Sequence, residues 1–170
     1  MYIDEQWLYN NYACEDGIMW FYANHPNGAE HYVIYNELPC QDWKYWLLAS
    51  MCGAEIAIRC ALKVCNNTIF EEWANNWLSS LDRSSNSAEL VAKIVTKYSV
   101  TEYTIEDAML WAAKSASWLA EVFERETSAK WAVKSAKLMV VSTAIKSIKS
   151  TIYIDDTIDL LVVSSQCMIK

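Results

Sequence analysis

The chain has 170 residues, 54% of them hydrophobic, and a formal net charge of −7 at neutral pH. That length suits one domain whose core needs neither disulfides nor metals to hold it. The acidic balance excludes non-specific binding to duplex nucleic acid, which needs a basic footprint, and charges interrupt the apolar runs before any reaches the length of a membrane span.

The start, MYIDEQWLYNNY, is acidic and aromatic rather than basic and then apolar, so no secretory signal is read and the protein is expected in the cytosol. Residues 1–36 predict short helices and a turn. Asp4–Tyr12 and Cys14–Asn24 are the helices, anchored by Trp7, Leu8, Trp20 and Phe21 and stopped by His25-Pro26-Asn27-Gly28. HYVIYN over 31–36 alternates aromatic and β-branched residues and predicts a short extended segment.

Residues 42–98 predict the central helices. Asp42, shortly after Pro39, is placed to cap a long helix, DWKYWLLASMCGAEIAIRCALKVC, interrupted at Gly53, where a close helix crossing is expected. Thr68 and Glu71 form a capping-box pattern that opens a helix with Phe70, Trp73, Ala74, Trp77, Leu78 and Leu81 on one face. After the polar loop 82–87, Ser87 is placed to cap a helix carrying Leu90, Val91, Ile94, Val95 and Tyr98.

Residues 104–150 hold neither Pro nor Gly and predict an Ala/Trp-rich helical hairpin. Thr104 and Asp107 open it, and Ile105, Met109, Ala112, Ala116, Leu119 and Phe123 share one stripe. A break is expected at Arg125–Ser128. In the C-terminal segment 151–170, Asp155 or Asp156 caps a last helix through Leu161. The fold class is therefore all-α: one domain over 1–170, a bundle of about six to eight mostly antiparallel helices.

Motifs for chemistry are sparse. The six cysteines include no Cys-x-x-Cys pair, so free buried thiols, no metal and no cofactor are expected. Asp155-Asp156-Thr157-Ile158-Asp159 matches the Asp-Asp-x-x-Asp pattern that binds Mg²⁺ and diphosphate, but helix capping accounts for it more simply. His25 and His31 read as surface or turn residues. The nine Trp are chiefly packing residues, but Trp111, Trp118 and Trp131 beside Lys114, Lys130 and Lys134 have the composition of a groove for a base and its phosphates. Charge is uneven: residues 1–92 carry four basic against twelve acidic side chains, and residues 93–150 carry nine against six. An acidic half thus faces partners with basic surfaces, while the mildly basic half suits a small anion.

The succession ACEDGIMWF, DWKYWLLASMCGAEIAIRCAL, SLDRSSNSAELVAKIV, AMLWAAKSASWLAE and SAKWAVKSAKL, over residues 13–140, resembles a group of phage and bacterial Ala-rich helical proteins, some labelled immunity proteins. Those relatives usually read Asp-Arg-Pro-Arg before the Ala-rich helices; here the loop is Asp82-Arg83-Ser84-Ser85, so only Asp82 and Arg83 carry over. The resemblance implies a setting of biological conflict, a phage countering its host or a bacterium guarding against a toxin. Two modes of action follow. In the leading one the acidic, aromatic surface binds and blocks a host or toxin protein. In the other, Arg83 and the Trp/Lys helices sequester a small nucleotide signal without chemistry. Either is binding rather than catalysis, and a homodimer is expected because so many aromatics are hard to bury in one protomer.

Overall fold

The structure is a computed structural model and describes residues 1–64, 66–96, 105–124 and 159–167. Its helices are α1 (Glu5–Asn10), α2 (Glu15–Asn24), α3 (His31–Glu37), α4 (Gln41–Cys52), α5 (Ala54–Val64), α6 (Thr68–Leu78), α7 (Ser85–Thr96), α8 (Ile105–Glu124) and α9 (Leu160–Cys167). Two short strands, β1 (Tyr2–Ile3) and β2 (Ala29–Glu30), pair antiparallel with Ile3 opposite Ala29. The all-α expectation holds: among the described residues this ribbon is the whole of the sheet.

Helix starts follow local side-chain chemistry. Asp4 accepts the Trp7 N–H at 2.8 Å, Asn67 the Phe70 N–H at 3.0 Å and Asp159 the Leu161 N–H at 2.9 Å, each satisfying an orphan donor of a first turn. Two caps therefore differ from the expected ones, Asn67 replacing Thr68 and Cys40 preceding α4 in place of Asp42, while Asp155 and Asp156, expected to cap a last helix, lie outside the described residues. Before α7, Asp82 accepts the Ser84 N–H at 2.9 Å, a bond that holds the Asp82 carboxyl below its usual range, and Ser84 accepts from Ser87.

Two expectations need correction. Residues 31–36 form helix α3, not an extended segment. The ribbon is only two residues long, too short a ladder to hold a six-residue strand beside it, and HYVIYN instead coils to bury Ile34. The long helix through Gly53 is two helices meeting at 106°. Gly53 adopts φ 59° and ψ −146°, a conformation that ends a helix and is cheap only without a Cβ. These two changes raise the number of helices among the described residues to nine.

The main core joins α4–α9. α8 packs against α7 and α5, and Ala108, Ala112, Ala113 and Ala116 are fully buried there, small residues that let the helices approach closely. Aromatics of α6 fill the remaining volume: Phe70, Trp73 and Trp77 are buried, with successive ring centroids 5.5 and 5.6 Å apart. A second, smaller cluster gathers Ile3, Leu8, Phe21, Ile34 and Leu47. The capping pair Thr104–Asp107, the break at Arg125–Ser128 and the second helix of the hairpin lie outside the described residues, as far as Thr104 and residues 125–150 are concerned.

Gly28 fixes the turn that brings β2 back to β1. It sits at φ +80°, and a Cβ there would stand 2.7 Å from Tyr2 Cε1 and 2.8 Å from the Ile3 carbonyl oxygen. The Tyr2 ring is tied by its hydroxyl, which donates to the Asn27 carbonyl, and the Ile3 carbonyl is held in the ribbon. Gly28→Ala is expected to cost about 1–2 kcal/mol through backbone strain and this contact, read as a lower urea midpoint with an unchanged slope. An unaltered midpoint would show that the turn rearranges freely.

Candidate functional site

α2, α3 and α4 enclose an apolar cleft of about 190 Å³, neither sealed nor flat. Its walls are Trp20 and Phe21 from α2, Ile34 from α3, Leu38 after it, and Trp43, Trp46 and Leu47 from α4, completed by Ile3, Leu8 and residues 12–14 and 17. An apolar cavity of about 150 Å³ accepts a benzene ring, so this cleft is sized for one aromatic or branched aliphatic side chain.

The tryptophans are fixed by edge contacts rather than hydrogen bonds. Trp20 meets Trp43 edge-on at 6.4 Å and 63°, and Trp46 meets Trp7 at 5.9 Å and 79°. Trp20 also lies 5.6 Å from the ring of His25. His25 is mostly enclosed, its side chain 10% exposed, and its Nε2 stands 3.1 Å from Glu37 Oε2, at ion-pair distance without hydrogen-bond alignment. The expectation of a surface histidine is thus corrected for its side chain: Trp20 and Phe21 cover it. His31 is similarly enclosed, 13% exposed at the head of α3.

Charge in the segment that forms the cleft is mostly negative. Residues 1–48 hold seven carboxylate side chains (Asp4, Glu5, Glu15, Asp16, Glu30, Glu37 and Asp42) against one lysine. That lysine, Lys44, lies 5.3 Å over the Tyr35 ring, a cation–π contact. Exposed Tyr9, Met19 and Tyr22 add apolar surface to α1 and α2, with the Tyr22 hydroxyl bonded to Glu5, which raises the Tyr22 pKa.

The residues expected to bind a ligand are only partly brought together. Trp111 is half-buried and the Lys114 ammonium lies 5.2 Å over its ring. Arg83 lies between α6 and α7, where its Nη2 donates to Glu55 Oε1 at 2.8 Å and its Nε to the Trp77 carbonyl at 3.0 Å. It is engaged in joining helices. The side chain of Trp118 and all of Lys130, Trp131 and Lys134 lie outside the described residues. Among the described residues no group of three or more His, Cys, Asp or Glu stands together as a metal site, and no single helix is long and apolar enough to cross a membrane.

Sequence reasoning marked Trp20 and Phe21 as anchors but passed over Trp43 and Trp46. Their signal was present: two tryptophans three apart on one helix face, in the most acidic part of the chain. Compared with known proteins, the chain matches no family model, no curated protein and no solved structure.

Proposed function

We propose that this protein acts by binding, without chemistry, and inhibits a protein target by taking an apolar side chain of that target into the N-terminal aromatic cleft. One observation carries the reading: a cleft sized for a single side chain, walled by Trp20, Trp43 and Trp46, within a segment holding seven carboxylates and one lysine. Aromatic walls around a small apolar pocket are where binding energy concentrates at interfaces. The surrounding carboxylates steer and select a partner with a basic surface. The sequence likeness to Ala-rich helical proteins labelled immunity proteins supports a setting of phage–bacterium conflict, with a host defence protein or a toxin as target and the cytosol as the place of action.

Filling the cleft tests this without dismantling it. Ala13 lines the cleft and is half-buried, so Ala13→Phe places a ring inside. In affinity capture from a bacterial lysate, the wild-type chain is expected to hold a specific protein that Ala13→Phe loses by at least about 30-fold in affinity, the scale of a hot-spot residue. Asp16→Lys/Asp42→Lys should weaken the same interaction, and added salt should too. Equal capture by the wild type and Ala13→Phe would sink the assignment.

Sequestration of a small anion is the second reading, favoured by the Lys114–Trp111 contact, which sets a cation beside a π face. A nucleotide released on heating the purified protein, followed by native mass spectrometry, would move the assignment there. The same spectrum reads the proposed homodimer.

A further inference from the structure

α4 ends at Cys52 and α9 ends at Cys167, and these two helices pack against each other. The Cys52 thiol donates to the Ser164 carbonyl at 3.8 Å, and the Cys167 thiol lies 3.6 Å from the neighbouring carbonyl of Val163. The two sulfurs thus lie against adjacent carbonyls of the same helix, which sets them beside one another. Cys52 is buried, whereas Cys167 is half-buried and packs against the same core from the side open to solvent. They differ in character. The adjacent Cys52 thiol, with the Arg59 guanidinium nearby, holds the Cys167 thiol below its ordinary range, while the Cys167 sulfur and burial push Cys52 up.

We propose that Cys52 and Cys167 are a reversible redox pair, which a peroxide closes into a disulfide that clamps α9 onto α4. Cys167 is the attacking thiolate, being the more acidic and the more accessible of the two. Its sulfur attacks one peroxide oxygen, the O–O bond breaks, and the departing hydroxide takes a proton and leaves as water. Cys167 is then a sulfenic acid. Cys52 attacks the Cys167 sulfur, the S–O bond breaks as the S–S bond forms, and the Cys52 proton leaves with the hydroxyl as a second water. Two electrons pass from the two sulfurs to the peroxide, and two thiols plus one peroxide give one disulfide plus two waters. Cys60, buried on α5 near Cys52, is the competing partner.

This site is separate from the cleft and does not depend on the proposed target. Full-length reduced protein is treated with stoichiometric hydrogen peroxide, digested without reductant and mapped by mass spectrometry. The intact mass is expected to fall by about 2 Da, two hydrogens, with Cys52 and Cys167 peptides joined. The melting temperature should rise by roughly 5–10 °C, because the link closes a loop spanning most of the chain. Dithiothreitol should reverse both changes, and Cys167→Ser should show neither. A Cys52–Cys60 link, or Cys167 driven to sulfinic acid while Cys52 stays free to alkylate, overturns the proposal. The peptide map is read on the wild-type chain, so its outcome does not depend on whether the Cys167→Ser variant folds.

Discussion

Phe70→Ala should lower the stability of this protein by about 4 kcal/mol, since emptying a buried aromatic site costs both transfer energy and a cavity. Phe70 is fully buried in the main core, and its ring lies 5.5 Å from that of Trp73. Its backbone is fixed as well, because its N–H is the donor that caps α6 on Asn67. Trp73 and Trp77 continue the aromatic row on the same helix, so neither is free to swing into the void without leaving its own contacts. For a chain of this size the melting temperature should fall by roughly 8–16 °C. Leu81→Ala is the matched comparison: Leu81 is 78% exposed, and its truncation should stay within about 0.5 kcal/mol. A loss below about 2 kcal/mol for Phe70→Ala would mean that the core re-forms around the gap, and that its packing is looser than these contacts indicate.

The second large effect lies at Arg83, where binding and architecture predict different results. Glu55 is a buried carboxylate, 7% exposed, and Arg83 meets it at 2.8 Å while also bonding the Trp77 carbonyl near the end of α6. One guanidinium thus offsets a charge on α5 and satisfies a carbonyl of the last turn of α6, two tasks its fork of donors can perform together. Arg83→Met leaves the Glu55 carboxylate buried without this partner and should cost about 3 kcal/mol, less than a fully enclosed pair because the Arg83 side chain keeps 38% exposure. Arg83→Lys should recover only part, since a point charge does not span both acceptors. Glu55→Leu/Arg83→Met should recover most of the loss, because no charge is then buried. If Arg83→Met melted like the wild type, Arg83 would instead be a surface cation available to a ligand.

What the sequence disclosed follows from the range of each signal. The amphipathic stripes of α6, α7 and α8 are local and repeat over several turns, so Phe70, Trp73 and Trp77, and likewise Met109, Ala112 and Ala116, were legible as core. The break at Gly53 was visible as a glycine in a helical run, but its 106° turn depends on the backbone angles of that one residue. Residues 31–36 misled because β-branched and aromatic residues state a preference for burial on a sheet, and only the two-residue length of β1 shows that no ladder is long enough to pair them. The cleft is harder still to read. It draws its lining from Ile3 to Leu47, across a ribbon, four helices and their connectors, and no spacing rule links positions that far apart. The Arg83–Glu55 pair crosses 28 positions for the same reason. Among the predicted ligand residues Trp111 and Lys114, three apart on α8, were close enough in sequence for the contact between them to be expected.

α4 carries a further implication, for how the molecule comes apart. Its Trp46 and Leu47 belong to the cleft and the smaller cluster and its Trp43 to the cleft, while Tyr45, Leu48, Ala49 and Cys52, on its other face, belong to the main core; Tyr35 and Met51 touch both. A twelve-residue helix cannot let go of one cluster by unwinding and still serve the other, since both faces are carried by the same hydrogen-bonded turns. The two apolar clusters therefore share one cooperative unit, and the N-terminal third is not an appendage that opens while the rest stays closed. A calorimetric trace with a single peak is the sign of it, and two peaks would mean that one cluster melts away from its face of α4 before the other.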